Sequence, residues 1–169
     1  MPKVIYTDEK LAQTDKKFPG LWWLLWVPWL VLLDQVSKWA ILEKIAYGEI
    51  SPLIPFINLT QSHNYGVAFS LLNQQAHFLQ LGLLGFIILI CIGVALYLIK
   101  VPANDKWLGM ALTLILGGAL GNLCDRLFHG YVIDFIDFYI RSWHWYTFNF
   151  ADGFITIGAL MLIKSLMKE

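Results

Sequence analysis

Two aspartates, Asp125 and Asp152, stand at the edges of apolar stretches, and an asparagine precedes each by three residues, Asn122 and Asn149. A carboxylate at membrane depth costs on the order of 3 kcal/mol on insertion scales, so it marks a place of chemistry or transport. The chemistry two such groups suit is aspartic peptide hydrolysis. Close carboxyl groups do not both ionise readily: the ionised one takes a proton from water while the protonated one polarises the scissile carbonyl. A structural polar pair joining two helices is the alternative that spacing leaves open.

Each asparagine lies one turn before its aspartate if both turns are regular, where its amide can donate to the carboxylate or to a substrate carbonyl. Arg126 follows Asp125 and reads equally well as a holder of substrate oxygen or as an interfacial arginine reaching for phosphate. Asp34 and Lys38, four apart, are placed to pair and support helix packing. From Asn64 to Ser70 a polar side chain sits beside Gly66 and other small residues, which suits close approach to an extended peptide and equally a plain turn.

Other residues carry less. His63, His77, His129 and His144 have no metal-ligand spacing, so no metal site is expected. Cys91 and Cys124 differ in depth and read as small apolar side chains rather than a disulfide. Asp134 and Asp137 sit among aromatics, where they solvate an edge or line an entrance. Gly117, Gly118 and Gly121 offer a face for close helix packing.

The elements that must position these groups are membrane helices. The chain has 169 residues, 58% hydrophobic and 14% charged, with a mean hydropathy of +0.61, well beyond the needs of a water-soluble domain of this length. Zero formal net charge and the lack of a basic run argue against nucleic acid. Lys16 and Lys17 before an apolar stretch resemble a secretory leader, but four tryptophans and no small-residue cleavage site after Leu33 make it a retained span.

The expected fold is an all-α membrane protein with four transmembrane helices, forming a single integral membrane domain over residues 1–169. The spans run at about 21–42, 76–99, 106–127 and 148–167. Pro28 is expected to kink the first. The tails and short loop hold Lys3, Lys10, Lys16, Lys17, Lys100, Lys106, Lys164 and Lys168, against Lys38, Lys44, Arg126 and Arg141 opposite, which puts both termini in the cytoplasm. The outer connections are then about 43–75 and 128–147. The first holds a small extracytoplasmic β-rich element between helices 1 and 2, and Tyr131 to Ile140 is placed to pair with it. Asp125 then lies roughly 27 Å from the cytoplasmic edge, level with Asp152.

In order along the chain, Asp34, Gln35, Ser37 and Lys38, then Asn64 to Ser70, Gly118 to Arg126, Val132 to Phe138, and Phe148, Asn149, Ala151 and Asp152 resemble the blocks of bacterial lipoprotein signal peptidases, the type II signal peptidases. The resemblance implies an aspartic endopeptidase of the bacterial inner membrane, multi-pass, with its active site near the periplasmic face. It would cut diacylglyceryl-modified prolipoproteins just before the lipid-bearing cysteine. Carried over by position, Asp125 and Asp152 would be the catalytic pair. Asn64, Gly66, Asn122, Arg126 and Asn149 would contact substrate, and Asp34 and Lys38 would support them. It also implies no metal or organic cofactor, membrane lipids as partners, and inhibition by globomycin-type cyclic peptides. A proton-coupled transporter using the same aspartates and a non-catalytic assembly subunit are the competing readings; the lack of repeated halves disfavours the transporter.

Overall fold

The computed structural model describes residues 18–65 and 77–167. A short 3-10 turn at Leu21–Leu25 leads into α1, Val27–Lys44. Pro28 lies in the first turn of α1, where its missing N–H would have had no helical partner, so it starts the helix rather than interrupting it. Val27, Asp34, Lys38 and Ile41 form the buried stripe of α1, while Trp29, Leu32, Leu33, Val36 and Trp39 are exposed and apolar, as lipid contact requires.

Helix α2 spans His77–Leu98 and α3 spans Lys106–Phe128, with Asp105 capping α3 through Leu108 N at 3.0 Å. The core lies around α3, against which α1, α2 and the last helix all pack. Glycine makes that possible. A Cβ on Gly118 would collide with the carbonyl oxygen of Ala151, and one on Gly121 would sit 2.6 Å from Asp34 Oδ2. The small-residue face read from Gly117, Gly118 and Gly121 is therefore real, and it admits α1 and the last helix to backbone contact.

The expectation of an all-α protein with four transmembrane helices does not hold. The chain forms a four-stranded antiparallel sheet in the order β1 (Ile50–Ile54), β2 (Ile57–Asn64), β3 (Val132–Ile140) and β4 (Trp143–His144). Among the described residues three helical stretches are long and apolar enough to cross a membrane: Leu21–Lys44, Leu81–Leu98 and Lys106–Phe128. The last helix, α4 at Phe150–Leu166, has 17 residues. It is shorter than expected because the chain before it is extended, with Phe148 bridged to Ile136 of β3. At its far end Trp107 Nε1 donates to Met161 O at 2.8 Å, so α4 returns to the level where α3 begins.

β-branched and aromatic residues at partial alternation make these strands, and the predicted pairing between the two connections is present as β2 against β3. Asn58 pairs with Asp137 and Leu59 with Ile136, then the register shifts so that Ser62 meets Asp134 and Asn64 meets Val132. One extra residue in β2 makes this bulge. The sheet is fastened to the end of α1 by Ile41 and Ile45 packed with Phe135, Leu59 and Ile136.

Candidate active site

Lys38 is the centre of the polar interior. Its ammonium donates to Asp34 Oδ2 at 2.7 Å and Asn122 Oδ1 at 3.0 Å, and it is ion-paired with Asp125 Oδ2 at 2.8 Å. Lys38 and Asp125 are 1% exposed and Asp34 is 0% exposed, so these are charge-assisted bonds in a water-poor setting. The other oxygen of Asp125 accepts Gln35 Nε2 at 2.8 Å, and its Oδ2 also takes the backbone N–H of Ile133 at 3.0 Å. Asp125 is thus fully engaged. The pairing of Asp34 with Lys38 read from sequence exists, but Lys38 also reaches the two other helical partners.

Because Asn122 gives its oxygen to Lys38, its Nδ2 faces outward and donates to Asp152 Oδ1 at 2.8 Å. The asparagine one turn before Asp125 therefore serves the other aspartate. Asn149, unlike Asn122, is not within a helical turn: at φ −129°, ψ −178° it is the N-cap of α4, and it forms a capping box with Asp152. Asn149 Oδ1 accepts Asp152 N at 3.0 Å and Asp152 Oδ2 accepts Asn149 N at 3.1 Å.

The free end of the Asn149 amide reaches a residue that the sequence reading left at an edge. Asn149 Nδ2 donates to Asp134 Oδ1 at 2.7 Å, and Asn64 Nδ2 donates to Asp134 Oδ2 at 2.9 Å. Asp134 is 2% exposed, so it neither solvates an edge nor lies on the surface. Burial pushes its carboxyl up to about 6; the Asn64 amide opposes this and the charge of Asp152 adds to it. Asp134 and Asp152 are linked through one residue, Asn149, whereas among the described residues Asp125 reaches Asp152 through two, either Lys38 and Asn122 or Ile133 and Asn149.

Asn64 and Arg126 border a cleft of ≈ 170 Å³ that is closed on its apolar side by Leu81, Leu83 and Leu84 of α2, with Tyr65 and Gly130 completing it. Arg126 Nη1 is tied to Asn122 O at 3.2 Å, which aims the guanidinium from the end of α3. Gly66 lies outside the described residues. Both cysteines are free, and among the described residues no cluster has the composition of a metal site. Asp137 is also buried, held by Asn58 and His144, away from this network.

Gln35 and Asp134 are the residues that spacing alone did not single out. A signal for Asp134 exists: a carboxylate inside the run Val132–Ile140, whose residues are otherwise those of a buried strand, must have partners waiting. Four carboxylates, Asp34, Asp125, Asp134 and Asp152, then share one interior with Lys38 and Arg126, and burial favours the proton on Asp134.

Residues 27–168 match the family model described as signal peptidase (SPase) II. The chain is 45% identical over 153 residues to a lipoprotein signal peptidase of Burkholderia mallei, covering 84% of this chain and 89% of that one. It is 44% identical over 144 residues to a lipoprotein signal peptidase of Klebsiella pneumoniae, covering 85% and 87%. Two solved structures described as a bacterial membrane enzyme superpose with TM-scores of 0.75 and 0.73, each at 33% identity, covering 87% and 86% of this chain and 93% and 87% of theirs. The chain belongs to the signal peptidase II family.

Proposed function

We propose that Asp134 and Asp152 are the acid–base pair with which this membrane peptidase removes signal peptides from diacylglyceryl-modified prolipoproteins. The observation that carries the assignment is the contrast between two aspartates. Asp125, the partner expected from sequence, is ion-paired to Lys38 and has both oxygens occupied, so it is poorly placed to exchange a proton. Among the described residues Asp134 has only amide donors on its oxygens, and it feels the charge of Asp152 and is held near 6.

With one proton shared by the pair, the ionised carboxylate takes a proton from water as that water attacks the scissile carbonyl. The protonated carboxyl donates to the carbonyl oxygen as the tetrahedral intermediate forms. On collapse the C–N bond breaks as the newly protonated carboxyl gives its proton to the departing amine, and a hydroxyl of the intermediate returns its proton to the other carboxylate, so the pair again holds one proton. Asn122, Asn149 and Asn64 hold the two carboxylates in place throughout. Asn64 borders the substrate cleft and Arg126 offers donors for substrate oxygens, while Leu81, Leu83 and Leu84 suit the apolar signal helix and acyl chains.

The protein belongs in the bacterial inner membrane, with this site at the periplasmic edge and the lysine-rich tails in the cytoplasm. The lipid-bearing cysteine then meets the pair where acyl chains remain in the leaflet. A globomycin-type cyclic peptide would compete for the same cleft. The test is cleavage of a diacylglyceryl-modified precursor by membrane-inserted variants: Asp134→Asn and Asp152→Asn each lower kcat by at least ~1000-fold. Substantial cleavage by either variant overturns the pair.

A further inference from the structure

Two hydrogen bonds just outside the proposed pair repeat one pattern. Asp34 Oδ1 accepts the backbone N–H of Ala151 at 2.9 Å, and Ala151 directly precedes Asp152. Asp125 Oδ2 accepts the backbone N–H of Ile133 at 3.0 Å, and Ile133 directly precedes Asp134. The two clamping carboxylates are joined by a single ammonium, that of Lys38, at 2.7 and 2.8 Å. From this we infer that Asp34, Lys38 and Asp125 form a yoke that sets the separation of Asp152 and Asp134, with Asp125 a positioning residue rather than a member of the reacting pair.

The inference rests on the assignment of that pair and explains why the surrounding residues are of these types. Asp134 comes from a strand and Asp152 from a helix, and the chain between them includes a two-residue strand and an extended lead-in. Such a connection does not hold two carboxylates to the fraction of an ångström that proton transfer demands. The yoke ties the α4 backbone to Asp34 of α1 and the β3 backbone to Asp125 of α3, each through a carboxylate that is also paired with Lys38. Asp34, Lys38 and Asp125 are all 0–1% exposed, so water is not available to replace any of its bonds. Lys38 further orients Asn122, which aims its amide at Asp152. Gln35 completes the Asp125 arm, with Nε2 also near Gly121 O at 3.1 Å and Asp34 Oδ2 at 3.2 Å. Small residues are needed at Gly121 because Asp34 occupies the space a Cβ would take.

The experiment compares Asp125→Asn with Asp125→Leu in the full chain, using a diacylglyceryl-modified precursor peptide and reading kcat, KM and the pH profile. Asparagine keeps an oxygen for the Ile133 N–H; leucine does not. The expected result for Asp125→Asn is a kcat loss within ~30-fold, KM within ~threefold and both limbs of the pH profile retained. Asp125→Leu falls at least ~10-fold further in kcat, while Asp134→Asn falls by ~1000-fold or more. The same comparison at Asp34, asparagine against leucine, tests the arm that holds Ala151 and stands if Asp125→Leu does not accumulate. A limb missing from Asp125→Asn overturns the yoke and the assignment of the pair together. Retained limbs with asparagine and leucine variants equally active overturn the yoke alone.

Discussion

A carboxyl group next to another carboxyl is a liability to the fold and an asset to the reaction, and Asp134 displays both. Its value near 6 lies above that of an exposed aspartate because burial disfavours the charge. The linked stability is therefore present in full below pH ~4, where both folded and unfolded forms are protonated, and is lost as pH rises to ~6. Asp134→Asn removes that loss. Above pH 6 the variant should be more stable than the native protein by on the order of 2 kcal/mol, and the difference should close below pH 4, as read by thermal unfolding across pH. A variant that is inactive and more stable is the expected mark of a residue kept for chemistry.

At the scale of elements, the site is assembled where one helix stops, another starts and a strand passes between. Asn149 serves two of these at once, as the N-cap of α4 and as a donor to Asp134 on β3. Serine caps a helix about as well as asparagine, but it lacks the amide. Asn149→Ser should therefore keep α4 while costing on the order of 1 kcal/mol for the donor lost to buried oxygens. Because the Asn149 amide lowers the Asp134 pKa, the limb of kcat/KM assigned to Asp134 should move to higher pH in this variant. An unmoved limb in a folded Asn149→Ser protein would separate Asn149 from the titrating group. The glycines of α3 set the complementary limit, since Gly118 lets Ala151 come close enough for Asp34 to grasp its N–H.

For the whole molecule, the two ends of the helical bundle do different work. At the end away from the site, Trp107 bonds Met161 O at 2.8 Å and lies under the Lys164 ammonium, 5.0 Å from the ring. Trp107→Phe deletes a bond whose acceptor, Met161 O, lies nine residues beyond Asp152 on α4, roughly 13 Å along the helix. It should lower stability by about 1 kcal/mol and leave kcat within twofold, a split measurable by unfolding and cleavage on one sample. Much of this organisation is legible in the chain: apolar runs announce the helices, alternation announces β2 and β3, and Gly117 to Gly121 announce the close crossing. What is not legible is which carboxylate receives the ammonium. Lys38 is four residues from Asp34 but 87 from Asp125, and no local spacing tells that its ammonium is ion-paired there as well. Likewise the pairs Asn122–Asp125 and Asn149–Asp152 share one spacing, yet the first is regular helix and the second is a cap, so their amides point to different partners. The same ambiguity makes the length of α4 unreadable from hydropathy, because backbone pairing of Phe148 with β3 decides where the helix begins.

The bulge in β2 bears on all of this. Side chains along a strand alternate, so the surplus residue between Leu59 and Ser62 is absorbed locally, with Thr60 and Gln61 both buried, and Ser62 and Asn64 stay opposite Asp134 and Val132. A slip of the downstream pairing by one residue would instead turn Asn64 to the far side of the ribbon and leave Asp134 without that donor, though every residue type in the site survived.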